Sequence, residues 1–117
     1  MRIVTIMGTR PEIIRLSRIA PLLDELAERH VVVHTGQNFV PELNDIFYEQ
    51  LGLRQPDIRI PAGKTGIGGQ LSAMFAAVED VLERERPDRV LVLGDTNSAL
   101  CAIVAERLGI PVAHMEA

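Results

Sequence analysis

Val90-Leu91-Val92-Leu93-Gly94-Asp95-Thr96-Asn97, positions 90–97, is the stretch on which the fold turns. Four apolar residues without alternation make a strand that is covered on both faces. Gly94 breaks the strand, and the polar residues after it open an apolar helical stretch that closes at Gly109. A buried strand, a polar turn and a helix form one β–α unit, so the rest of the chain should repeat it.

It does. Ile3 to Met7 is a short β-branched run broken by Gly8. Thr9-x-x-Glu12 around Pro11 then reads as a capping box. It starts a helix with apolar residues at Ile13, Leu16, Ile19, Ala20, Leu23, Leu26 and Ala27, spaced by three and four. His30 to His34 encloses Val31-Val32-Val33, a second strand. Pro41 opens a short helix that ends at Gly52, and Ile58-Arg59-Ile60 is a weaker strand. A glycine-bearing loop (Gly63, Gly66, Gly68, Gly69) precedes a long helix from about Gln70 to Arg86, stopped by Pro87. Ile110 to Met115 is a fifth, buried strand. Strands alternating with helices predict an α/β fold with a parallel, Rossmann-like sheet and right-handed crossovers.

Composition agrees and excludes other classes. The 117 residues suit one domain, 47% of them are hydrophobic and 3% aromatic, and there is no Trp. Twelve Lys and Arg against sixteen Asp and Glu leave a net charge of −4, with no basic block for nucleic acid. No apolar run reaches the roughly 18 residues of a membrane span, and the start carries no secretory signal. A cytoplasmic protein is therefore expected. The single Cys101 rules out an internal disulfide, and its apolar neighbours Leu100, Ala102, Ile103 and Val104 make it a packed thiol. The chain stops at Glu116-Ala117 directly off a strand, which reads as residues 1–117 of a longer protein.

Ligands of open parallel sheets sit beyond the carboxyl ends of the strands. Four such ends bear polar or glycine-containing turns: Gly8-Thr9-Arg10, Thr35-Gly36-Gln37-Asn38, Gly94-Asp95-Thr96-Asn97-Ser98 and His114-Met115-Glu116. Gly8 would let a ligand approach the backbone, and the helix start after it would offer free N–H groups to an anion. Arg10 adds a forked donor for phosphate or carboxylate. Arg15 and Arg18 lie further along that helix, where solvated surface charge is the plainer interpretation. Asp95 is either a helix N-cap or an acid–base group, and Glu116 either a surface carboxylate or its partner. His34 and His114 each end a strand, where a hydrogen-bonded structural role is the commoner one.

Two familiar patterns fail. Gly63-Lys64-Thr65 lacks the earlier glycine of a P-loop, because Ile58 stands there. Gly66-Ile67-Gly68-Gly69-Gln70-Leu71 lacks the last glycine of GxGxxG. A glycine-rich lid near the strand ends is what remains, with Gln70 behind it. No cluster of metal-ligating spacing is present; His114-x-Glu116 lacks the PCxxC of a zinc deaminase.

GTRPEIIR at 8–15, HTGQN at 34–38, GDTNS at 94–98 and HMEA at 114–117 together resemble the non-hydrolysing UDP-N-acetylglucosamine 2-epimerase family. ELNDIF at 42–47 brings the chain nearest the branch acting on UDP-2-acetamido sugars for surface polysaccharides. The resemblance implies the N-terminal half of a two-domain GT-B-type architecture, with the UDP-binding C-terminal domain beyond residue 117. It also implies inversion at carbon 2 by elimination of UDP to a glycal and re-addition, without a nicotinamide or metal cofactor, in a homodimer. By that resemblance Asp95 and Glu116 are catalytic, Arg10 is a diphosphate or active-site Arg with Arg15 a further cation, Gln37 and Gln70 lie near an allosteric or substrate pocket, and His34 is a further candidate for binding the UDP-sugar. Arg15 stands where many members carry Lys. Two other functions fit the same fold: the N-terminal domain of a GT-B glycosyltransferase, and a non-catalytic interaction module.

Overall fold

The computed structural model describes residues 1–35, 46, 48–60, 66–93 and 97–115. Five parallel strands form one sheet in the order β3-β2-β1-β4-β5, where β1 is Arg2–Met7, β2 Arg29–His34, β3 Ile58–Arg59, β4 Arg89–Leu93 and β5 Val112–Met115. Among the described residues are the helices α1 (Arg10–Leu16), α2 (Ala20–Leu26), α3 (Ile67–Glu85) and α4 (Ala102–Arg107), the last preceded by a 3₁₀ turn at Asn97–Cys101, and residues 48–51 are helical as well. This is a doubly wound α/β sheet, as the alternating pattern predicts.

The unbroken apolar runs are explained by two cores, one on each face. Val4, Ile6, Val31, Val33, Val90 and Val92 meet Met74, Val78, Val81 and Leu82 of α3, with Cys101 and Ala105. On the other face Met7, Val32, Leu91 and Leu93 meet Ile13 and Leu16 of α1 and Tyr48. β1, β2 and β4 divide their side chains between both cores, so neither face at the centre of the sheet can be polar.

Two aspartates lengthen the ladder at its amino end. The Asp88 carboxylate accepts the Arg2 amide at 2.7 Å while its own amide donates to the Arg2 carbonyl at 2.8 Å. Asp57 does the same to Val32, at 2.7 and 2.9 Å. Backbone groups that precede β3 and β4 are thereby satisfied without further strand.

Three sequence expectations need correction. The helix expected to run to Ala27 is two helices, α1 and α2, with a break at 17–19. Pro21 has no N–H for the Ser17 carbonyl, and both the amide and the hydroxyl of Ser17 turn back to the Ile14 carbonyl, at 3.2 and 2.5 Å. The long helix begins at Ile67 rather than Gln70, so Gly68 and Gly69 are helical and not part of a lid. Gly66 has φ +97 and caps it. Finally, β5 is not buried: it is the sheet edge, and Ala113 and His114 are exposed. The terminators behave as expected, with Gly52 at φ +68 and Gly109 at φ +75, where a β-carbon would be strained.

Candidate functional site at the carboxyl edge

The strand ends that precede the four predicted turns lie at one edge of the sheet. Met7 pairs with His34, and Leu93 with Met115. Carrying the β1–β4 register two residues beyond Thr5↔Leu91 puts Leu93 level with Met7. The ends of β2, β1, β4 and β5 therefore form one row, about 14 Å long at ~4.8 Å per strand. Gly36–Val40, Gly94–Thr96 and Glu116-Ala117 continue directly from that row. Gln37, Asp95 and Glu116 themselves lie outside the described residues, as do Gly63, Lys64 and Thr65.

Strand order sharpens the location. From β1 the chain winds outward to β2 and β3, then crosses back to β4 and β5. The direction reverses between β1 and β4, which is where a doubly wound sheet opens its ligand crevice. The strands flanking this point are the ones that Arg10 and Asp95 follow in the sequence.

Arg10 is the first residue of α1; its side chain is outside the description. Thr9 and Glu12 form the expected capping box. Its carboxylate half is the strong one, since the Thr9 hydroxyl makes no hydrogen bond of good geometry. Glu12 is buried at 3% exposure and accepts the Gly8 amide at 2.7 Å and the Thr9 amide at 2.8 Å. This narrows the expectation of free N–H groups for an anionic ligand: the protein's own carboxylate takes the Gly8 and Thr9 amides, and Pro11 has none to give.

The remaining candidates spread along the edge. His34 ends β2 and is 1% exposed. Gln70 is exposed on the first turn of α3. Arg15 is exposed in the last turn of α1, about 7.5 Å along the axis from Arg10. Among the described residues no group of three His, Cys, Asp or Glu could hold a metal ion.

Burial, and then the positive charge of Arg59, push the His34 imidazole down to about 4, against a smaller opposing pull from Glu12. The ring is neutral near pH 7 and acts as one donor and one acceptor, not as a cation. Because the folded value lies below the unfolded 6.5, the unfolded chain binds the proton first. Stability is complete above about pH 6.5 and is lost as pH falls toward about 4, by roughly 2–3 kcal/mol. Glu85, held low by its hydrogen bond to Arg29, acts only below its ordinary 4.5. A urea midpoint that falls between about pH 6.5 and 5 in the wild type and stays flat in His34→Asn is the expected result. An equal slope in both proteins would remove His34 as its source.

Cys101 is fully buried, and burial, then the Glu12 charge, raise its thiol to about 12. The packed-thiol expectation holds. Ellman's reagent at about pH 8 should leave it unmodified in the folded protein and titrate it fully in denaturant; rapid labelling of the native state would contradict the burial.

The UDP-N-acetylglucosamine 2-epimerase family model matches residues 23–117. The chain belongs to that family. It is 40% identical over 119 residues to UDP-2,3-diacetamido-2,3-dideoxy-D-glucuronate 2-epimerase of Pseudomonas aeruginosa, covering 100% of this chain and 34% of that protein. It is 42% identical over 118 residues to a UDP-N-acetylglucosamine 2-epimerase of Methanococcus maripaludis, covering 99% of this chain and 31% of that one. The fold superposes with a TM-score of 0.90 and 41% identity on the Methanocaldococcus jannaschii UDP-GlcNAc 2-epimerase crystallised with UDP-GlcNAc and UDP, over 100% of this chain and 33% of the other. The chain spans about a third of the length of these relatives. Among the described residues of this epimerase-family chain, no helix is long and apolar enough to cross a membrane.

One polar group in this family member escapes sequence inspection. His30, with its side chain 1% exposed, bridges the Asp24 carboxylate (2.8 Å) and the Thr5 hydroxyl (2.7 Å). Arg54 then clamps Asp24 (2.9 and 3.0 Å), Asp57 (2.9 Å) and the His30 carbonyl (3.1 Å). It ties α2, β2 and the approach to β3 together below the functional edge. Its bonded pairs are 3 to 30 positions apart with no pattern between them, so only the folded chain reveals it.

Proposed function

We propose that this chain supplies the Rossmann-like N-terminal part of a cytoplasmic, homodimeric UDP-2-acetamido-sugar 2-epimerase, with UDP-N-acetylglucosamine or a close relative as substrate. The observation that carries this is the level row of four strand ends, with the crevice between β1 and β4, in a chain of the epimerase family. In this reading the GT-B partner domain holds most of the uridine, and the edge described above faces the sugar and diphosphate.

The chemistry suits the residues assigned. Breaking the anomeric C–O bond leaves negative charge on UDP and positive character on the ring. Arg10, with Arg15 further along α1, favours the departing diphosphate. Asp95 and Glu116 favour the cationic ring, remove the carbon-2 proton and deliver one to the other face. Gln37, Gln70 and neutral His34 orient polar groups of the substrate. The glycal is the intermediate, and UDP adds back after reprotonation.

The test is incubation of the full-length protein with UDP-N-acetylglucosamine in heavy water. Deuterium at carbon 2 with a detectable glycal is expected. An acceptor-dependent sugar transfer without either would point to a glycosyltransferase instead. The 117-residue chain alone, a third of its relatives' length, is expected to give no exchange.

A further inference from the structure

We propose that Glu12 is a positioning residue of this site: its buried carboxylate grips the Gly8 and Thr9 amides and thereby sets the direction in which Arg10 leaves β1. The proposal rests on the functional reading above, because it concerns the same edge. A carboxylate at 3% exposure is costly unless hydrogen-bonded, and here two amides of successive residues meet it, at 2.7 and 2.8 Å. Both amides belong to the turn between the last residue of the central strand and the first residue of α1. Helix capping alone asks for one bond from this side chain, to the Thr9 amide. The second bond reaches back to Gly8, across the point where β1 ends, and locks strand to helix.

The arrangement also determines what the turn offers a ligand. With the Gly8 and Thr9 amides filled and Pro11 lacking a donor, these three backbone positions offer a diphosphate nothing. The cationic side chain leaving this turn must then be aimed accurately, and a misplacement of about 1 Å costs on the order of a hundredfold in rate. Glu12 supplies that aim without touching substrate. Deleting it frees two donors in a buried turn and loosens the backbone on which Arg10 stands.

The experiment uses the full-length protein with Glu12→Ala, Glu12→Gln and Glu12→Asp, read by steady-state kinetics, UDP calorimetry and thermal melting. Folded Glu12→Ala should lose about a hundredfold in kcat and bind UDP about tenfold more weakly, and Glu12→Gln, which keeps one acceptor oxygen, should recover most of both. If Glu12→Ala does not fold, Glu12→Asp decides, since it draws the acceptor back by one methylene: about a fivefold or greater loss in kcat at an unchanged melting temperature supports the proposal. A folded Glu12→Ala, or failing that Glu12→Asp, with wild-type kcat, KM and UDP affinity overturns it. If the wild type gives no epimerisation while Glu12→Ala still weakens UDP, the epimerase reading fails and the positioning role of Glu12 stands.

Discussion

Asp95→Asn in the full-length protein is expected to lower kcat for UDP-N-acetylglucosamine by about a thousandfold while changing UDP affinity by less than about threefold. Asn keeps the size and one acceptor of Asp but can neither carry the negative charge nor move a proton. Asp95 follows β4 by two residues, and β4 borders the crevice where the winding of the sheet reverses. Glu116→Gln, one residue beyond β5, should behave alike. The double variant should be little worse than either single one, because groups serving one step are not additive. Deuterium incorporation at carbon 2 separates the roles: a variant that still exchanges but cannot epimerise has lost delivery from one face only. Wild-type turnover in Asp95→Asn would exclude Asp95 from the chemistry and return it to a helix cap.

The second large effect is on stability. Ile6→Ala should destabilise the fold by about 3–4 kcal/mol, since it leaves a cavity where the central strand meets α3. Ile6 is 0% exposed and packs in the core that includes Val78 and Val92. For a domain stable by only about 5–15 kcal/mol that is a major fraction. Ile14→Ala is the control: Ile14 is 50% exposed on α1, so the change should stay within about 0.5 kcal/mol. Urea titration of both variants decides. Equal small losses would mean that the α3 face repacks and that the core is less tight than its burial indicates.

The site was legible in unequal parts. Four polar turns after four apolar runs could be recognised because strand ends and their successors are consecutive residues. The grip of Glu12 was half visible: its spacing from Thr9 suggests a capping box, but the bond to Gly8 needs the strand end in place. His34 looked like one more polar residue at a strand end; only burial, aided by the Arg59 charge and opposed by Glu12, makes it a neutral ring. The break at 17–19 was hidden because apolar spacing continues across it, although Pro21 stood in view.

Local order came from the sequence alone: β-branched runs made strands, three-and-four spacing made helices, and Gly52 and Gly109 ended them, because each of these acts within a few residues. Membership of the epimerase family was likewise readable from four short motifs in order. The order of strands was not, since Val31–Val33 and Val90–Leu93 are equally apolar and either could pair with any neighbour. Packing decided it. Right-handed crossovers laid α1 and α3 on opposite faces, which forced the winding to reverse at β1. That reversal, a property of the assembled sheet, is what sets β1, which leads into Arg10, beside β4, which precedes Asp95 in the chain.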